Sequence, residues 1–216
     1  MAATFYQDAA KTTPVTASGD PVGAIVLTDG TIPEFTQATA ANRPIYRSDG
    51  TRGWLETNGV SQFLEADYAP TAYPLTMAVA VEFDSQAGVN AILSLYESNS
   101  LFKRLYVQPS PSNFIYQDFG NGSQSVSATV TDKSVVFAQD DSTTALIEVN
   151  GGAPSSGANA GPFGSPTKLY IGNTGPQGSY FSGKIFGAIF VNRLLTDAEK
   201  ADVRAKLASA AGATLT

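Results

Sequence analysis

The chain has 216 residues, with 13 basic and 19 acidic side chains, a net charge of -6, and neither cysteine nor histidine. That balance, without a Lys/Arg cluster, gives no footing for a nucleic-acid partner. The missing Cys and His exclude disulfides, thiolate and imidazole metal sites, and Ser-His-Asp or Cys-His nucleophiles. With 43% hydrophobic residues, 20 Gly and 12 Pro, the composition is that of one turn-rich folded domain.

The opening "MAATFYQDAAKTT" has neither a basic nor an apolar signal region, so no secretory signal is expected and synthesis is expected in the cytoplasm. Residues 1–50 read as an arm or outer strand, packed on the domain or attaching it to something else. They carry one strand pattern, "GAIVL", ahead of the turn signal Asp29-Gly30. Residues 51–216 read as a β-sandwich, a single domain overall. In "LTMAVAVEF", Leu75, Met77, Val79, Val81 and Phe83 share one face at period two, while Thr76, Ala78, Ala80 and Glu82 make a small or polar one. That asymmetry predicts a strand with one buried face. Further strand patterns follow in "NAILSLY", "RLYVQ", "NFIYQDF", "SVSATV", "SVVFA" and "ALIEV".

Asn150-Gly151 supplies the positive φ angles of a hairpin turn, and "GGAPSSGANAGPFGSP" reads as a loop at its tip. "KLYIG" resumes the sheet. "KIFGAIFV" is apolar on both faces, Ile185, Ile189 and Val191 against Phe186, Ala188 and Phe190, which predicts a central strand covered on both sides. Gly187 within it marks a bend or a close neighbour. "IFGAIFV" is the longest apolar run, far short of the roughly 20 residues a membrane-spanning helix needs. Thr196 and Glu199 have capping-box spacing and Asp197 favours the dipole's positive end, so a helix is read over 197–210. Ala198, Val203 and Leu207 would be its apolar stripe and Gly212 its stop.

Paired carboxylates can hydrolyse glycosidic bonds. Glu65 with Asp67, Glu82 with Asp84, and Asp140 with Asp141 are the candidates. Glu82 and Asp84 share a strand face, but Ala87 stands where the Glu-x-Asp-x-x-Glu pattern of β-sandwich glycanases has its third acid, so a solvated strand end is the stronger reading. A structural calcium is the one cofactor left open, with Asp118, Asp140, Asp141 and the carbonyls of "DFGNGS" as ligands. Glycan binding needs an aromatic ring and planar polar groups on a shallow surface. Arg104, Tyr106, Gln108, Tyr116 and Asp118 offer them, Arg104, Tyr106 and Gln108 as one outward row if Leu105 and Val107 point inward. Cross-strand structural tyrosines are the competing reading.

"ALIEVNGG", "KLYIGN" and "YFSGKIFGAIFVNRLLTDAEKADV" together resemble the ending of concanavalin A-like lectin/glucanase domains of the laminin G and pentraxin type. Matching positions are Asn150, Gly151, Leu169, Ile171, Gly172, Phe181, Gly183, Ile185, Arg193, Leu195, Thr196 and Glu199. "QATAANRPIYR" and "WLETNGVSQFLEA" resemble phrases of such domains in bacteriophage proteins, although Asn58 and Ser61 stand where Asp is common. The resemblance spans residues 35–210. It implies an all-β, two-sheet antiparallel jelly-roll sandwich with one short C-terminal helix, in a family that often recognises glycans or proteins.

The expectation is therefore a non-enzymatic phage virion surface protein, a head decoration or small spike or fibre. Its partners would be other virion proteins of the capsid or tail, copies of itself in a homo-oligomer, and glycans, without membrane insertion. A divergent glycan hydrolase and a cellular laminin G-like adhesion module are the alternatives.

Overall fold

The computed structural model describes residues 3–27, 34–70, 74–84, 89–109, 112–119, 124–129, 132–141, 143–158 and 164–215. In chain order the strands are β1 (Ala3–Tyr6), β2 (Ala24–Leu27), β3 (Phe35–Thr36), β4 (Ile45–Ser48), β5 (Gly53–Asn58), β6 (Leu64–Asp67), β7 (Leu75–Phe83) and β8 (Asn90–Ser98). There follow β9 (Leu101–Pro109), β10 (Ser112–Phe119), β11 (Gln124–Thr129), β12 (Lys133–Asp140), β13 (Thr144–Val149), β14 (Ser155–Ala158), β15 (Lys168–Ile171) and β16 (Ser182–Val191). Helix α1 (Asp197–Ala211) closes the chain. Among the described residues no helix is long and apolar enough to cross a membrane.

Two antiparallel sheets face each other. One has nine strands, in the order β1, β2, β3, β6, β15, β8, β9, β10, β11; the other has seven, in the order β14, β13, β12, β7, β16, β5, β4. Residues 1–50, where the sequence showed one strand pattern, contribute β1, β2 and β3 to an edge of the larger sheet and β4 to an edge of the smaller. The core lies between the sheets. Leu75, Met77, Val79 and Val81 of β7 meet Leu93, Leu95, Leu105, Val107, Phe114 and Leu169 from across the sandwich.

The opposite face of β7 is buried as well, which departs from the one-sided strand its pattern predicted. Ala78 and Ala80 are 0% exposed because α1 lies on them, with Leu195, Leu207, Ala208 and Ala211 completing a second cluster. Small side chains there let the helix approach closely. Ala198, expected in the helix's apolar stripe, is exposed; Ala208 and Ala211 take its place.

β16 lies between β7 and β5, which pairs with it over Ser182–Ile185, and α1 packs on its outer face, but Ala188, expected to be covered, is exposed. The division of its residues differs from simple alternation. Ile185 pairs with Val81 but Gly187 with Ala80, so Phe186 is an extra, bulged residue and every later side chain changes face. Ile185 and Phe190 therefore share the inter-sheet core, while Phe186, Ile189 and Val191 pack beneath α1. Gly187 sits under Leu207: a Cβ there would lie 2.8 Å from Leu207 Cδ2.

The capping box forms as the spacing predicted. Glu199 N–H donates to Thr196 Oγ1 at 3.3 Å, and Thr196 N–H donates to a Glu199 carboxylate oxygen at 2.9 Å. Asp197 bonds Lys200 at 2.6 Å and also feels the charge of Arg204. Thr76 Oγ1 donates to Arg193 O at 2.8 Å, fixing the turn that delivers the helix to the sheet. Asn150 and Gly151 have φ of 55° and 83°, and β13 and β14 pair antiparallel across their turn.

Candidate functional site

The helix occupies the outer face of the seven-stranded sheet. The outer face of the nine-stranded sheet is built differently. Register there aligns Glu65, Tyr170, Ser94, Arg104 and Gln117 on β6, β15, β8, β9 and β10 as direct cross-strand neighbours. A second row of Asp67, Lys168, Tyr96 and Phe102 runs beside it, and Ala91, Tyr106 and Ile115 form a third. At about 4.8 Å per strand, the first row extends for about 19 Å.

The segment 172–180, between β15 and β16, lies across the middle of these rows. Ser94 Oγ donates to Asn173 O at 2.6 Å, and Ala91 N–H donates to Ser179 O at 3.3 Å. Gly175, at φ 93°, lies so close to the rings of Tyr170 and Tyr96 that a Cβ would come within 3.1 Å of both. Only a residue without a side chain lets the backbone pass there.

Arg104 joins this segment to the sheet. Its Nε and Nη2 donate to Gln117 Oε1 at 2.9 and 2.7 Å, and its Nη1 reaches Thr174 Oγ1 at 3.4 Å and Ser179 Oγ at 3.5 Å. The guanidinium carbon lies 4.9 Å from the ring centre of Phe102 and 4.5 Å from that of Tyr106. Burial lowers the Arg104 pKa and raises that of the Tyr106 phenol. Among the described residues no carboxylate forms an ion pair with Arg104, so its charge rests on two rings, an amide oxygen and two hydroxyls.

At the β6 end, Lys168 Nζ lies 3.0 Å from both Glu65 Oε1 and Asp67 Oδ1. The Tyr170 phenol bonds Glu65, and its pKa is pushed up, first by burial and then by that carboxylate. Rings gather around it. Phe63 and Tyr96 have centroids 6.0 Å from that of Tyr170, and Tyr180 lies 6.1 Å from Phe63. Phe63, Tyr96 and Tyr180 are half-buried, leaving part of each ring available.

Of the five residues expected to form a glycan surface, Arg104 and Tyr106 share this face, and Gln108 is half-buried farther along the same strand, opposite Asn113. Tyr116 and Asp118 point the other way. They stand opposite Leu105 and Lys103, whose side chains enter the sandwich, so the five do not make one surface. Of the remaining members of the face, Glu65 was singled out in the sequence only as an acid paired with Asp67, and Ser94, Gln117, Tyr170 and the 172–180 segment not at all as site residues. Only the pairing of strands far apart in the chain brings them together.

The other two acidic pairs are engaged elsewhere. Glu82 is bonded by Lys184 and faces Lys133 at 3.9 Å, in a cross-strand ladder of alternating charge that runs Glu56, Lys184, Glu82, Lys133. A cavity of 350 Å³ at that end is lined by Glu82, Phe83, Asp132 and Lys133. Ala87 lies outside the described residues. Asp140 and Asp141 diverge: Asp140 is inside the sandwich, while Asp141 accepts from Thr143 and Thr144, bonds that hold its pKa down.

These residues do not fit the calcium site the sequence left open. Asp118 and Asp140 both contact the ammonium of Lys103, which occupies the place a cation would take, and Asp141 faces away. Among the described residues no three acidic groups converge, and the "DFGNGS" carbonyls at 120–123 lie outside them.

No family model and no curated protein matches this chain. Solved structures do. Domain 4 of AbnA, a GH43 extracellular arabinanase from Geobacillus stearothermophilus in complex with arabinotriose, superposes with a TM-score of 0.66 at 13% identity, covering 82% of this chain and 91% of that one. The fold is the two-sheet antiparallel β-sandwich. The botulinum neurotoxin serotype G binding domain gives a TM-score of 0.63 at 12% identity over 96% of this chain, which spans 51% of that one. The Ruminococcus gnavus IT-sialidase CBM40 bound to α2,3 sialyllactose gives 0.55 at 14%, covering 70% of this chain and 95% of that one.

Proposed function

We propose that this chain is a non-enzymatic glycan-binding domain that engages sugars through the outer face of its nine-stranded sheet. The observation that carries the reading is the row of Glu65, Tyr170, Ser94, Arg104 and Gln117, aligned across five strands, with Tyr170, Ser94 and Arg104 buried against segment 172–180 and Glu65 and Gln117 half-buried at its two ends. Sugars present apolar ring faces and hydroxyls together, and this face offers both counterparts: the half-buried rings of Phe63, Tyr96 and Tyr180, and the carboxylates and ammonium of Glu65, Asp67 and Lys168. Arabinotriose with the arabinanase domain and sialyllactose with CBM40 support the same reading by fold analogy. Glu82 in its ladder, and Glu65 with Asp67 on one lysine, favour binding over hydrolysis.

The domain is displayed on a phage particle, as a head decoration or a small spike or fibre, in contact with capsid or tail proteins and with copies of itself. Support for this part is the resemblance of "QATAANRPIYR" and "WLETNGVSQFLEA" to phrases of phage proteins. A glycan array and a reducing-sugar assay on the purified protein test the binding reading. Binding without turnover is expected, with at least a tenfold loss in a folded Arg104→Ala protein. Turnover that Glu82→Gln abolishes would overturn it. Imaging of intact particles tests display, and absence of the protein from shell and tail would overturn that part.

A further inference from the structure

Between the sheets lies a polar group that the glycan face does not use. Lys103 projects inward from β9, is 0% exposed, and holds its Nζ 2.6 Å from Asp118 Oδ2 and 2.6 Å from Asp140 Oδ2. Asp118 stands directly opposite it on β10, 4% exposed, whereas Asp140 comes from β12 in the facing sheet and is 0% exposed. Tyr116 O–H donates to the same Asp140 oxygen at 2.8 Å. Leu95, Leu105, Phe114 and Ala138 belong to the core on the same inward faces.

An amine and a carboxylic acid do not condense in water, because both ionise and because they meet rarely. Burial disfavours both charged forms. Fixed contact supplies the encounter, at effective concentrations of about 10⁵–10⁸ M in well-oriented cases. We propose that Lys103 and Asp118 form a self-modification site, in which Lys103 Nζ condenses with Asp118 Cγ to an intramolecular amide, with Asp140 as the catalytic proton carrier.

Asp118 enters as the neutral acid, consistent with burial raising its pKa. The Lys103 ammonium gives one proton to the Asp140 carboxylate and becomes a neutral amine. Its lone pair attacks Asp118 Cγ, forming the C–N bond and moving the carbonyl π pair onto oxygen. Asp140 passes its proton to the Asp118 hydroxyl and takes another from the nitrogen. The C–O bond breaks, water leaves, and the C=O re-forms. Ammonium, acid and carboxylate thus yield an amide, one water and neutral Asp140, with nothing oxidised or reduced. The Tyr116 hydrogen bond keeps Asp140 on the amine.

Mass spectrometry of the denatured, purified full chain decides the matter without any folded variant: the mass should fall about 18 Da below that of the sequence. Trypsin should then release a branched peptide joining 53–104 to 105–133, uncut after Lys103. A full-length mass, or only linear peptides, would overturn the cross-link. A branch from 53–104 into 134–168 would overturn Asp118 as the acceptor. Asp140→Asn with an unchanged circular-dichroism spectrum should retain the full mass; loss of water in that folded protein would overturn the role of Asp140.

Discussion

A methyl group added at Gly187 would meet Leu207 Cδ2 at 2.8 Å, closer than carbon atoms pack. Leu207 is 5% exposed and shares its cluster with Ala78, Ala80 and Phe137, so Leu207→Ala should cost about 2–5 kcal/mol by emptying the seat of the helix. Gly187→Ala alone sets an overpacking cost of about 1–3 kcal/mol against a gain of about 0.5–1 kcal/mol from replacing glycine within a strand. In the Leu207→Ala background the obstructing atom is gone, the gain survives, and the new methyl fills part of the cavity. The double variant should therefore be more stable than the sum of the singles by about 1–3 kcal/mol, measured by urea denaturation of the four proteins. Additivity within about 0.5 kcal/mol would refute the reasoning that Gly187 is there to admit Leu207.

Other consequences are as direct. Glu199 should titrate at about 2, because the Arg193 guanidinium and then the Thr196 amide bind its charged form. Its folded pKa lies below its ordinary value of 4.5, so its stabilising effect is complete above that pH and lost as pH falls towards 2. Carbon NMR of the carboxylate would read this, and Arg193→Ala should move the midpoint upwards. At Asn150, φ 55° makes alanine worse than glycine by about 1 kcal/mol in thermal denaturation, since both lose the amide that serves Val135 N–H and only alanine keeps a Cβ. Arg104→Ala should speed amide exchange across 172–180 while leaving α1 protected, since Arg104 anchors only the former.

Elements whose signal is local were legible in the sequence. The capping box, the Asn150-Gly151 turn, the period-two face of β7 and the apolar packing on both faces of β16 each depend on neighbours within a few residues. What escaped depended on partners far along the chain. The Phe186 bulge leaves no mark on hydrophobic periodicity, yet it exchanges the faces of every residue after it. β10 misled for a related reason. Tyr116 and Asp118 are polar, but they face inward because Lys103, opposite Asp118, and Asp140, across the sandwich, supply partners that burial demands. Of the face proposed to bind glycans, Arg104 and Tyr106 were named from the sequence. Glu65, Ser94, Tyr170 and Gln117 are ordinary strand residues until pairing sets them in one row.

Side-chain size on two strands explains why one outer face holds a helix and the other a thin segment. β7 turns Thr76, Ala78 and Ala80 outward, a shallow floor on which α1 can rest. β9 turns Phe102, Arg104 and Tyr106 outward, and its neighbours add Tyr96 and Tyr170, which would hold a helix far from the backbone. A thin segment can pass where a helix cannot, and 172–180 does so by placing Gly175 against the two tyrosine rings. Its contacts with Arg104, at 3.4 and 3.5 Å, are the longest that guanidinium makes to oxygen here. They are also the ones a ligand hydroxyl can replace at least cost, which makes the edge of this segment the place where binding on the nine-stranded sheet would begin.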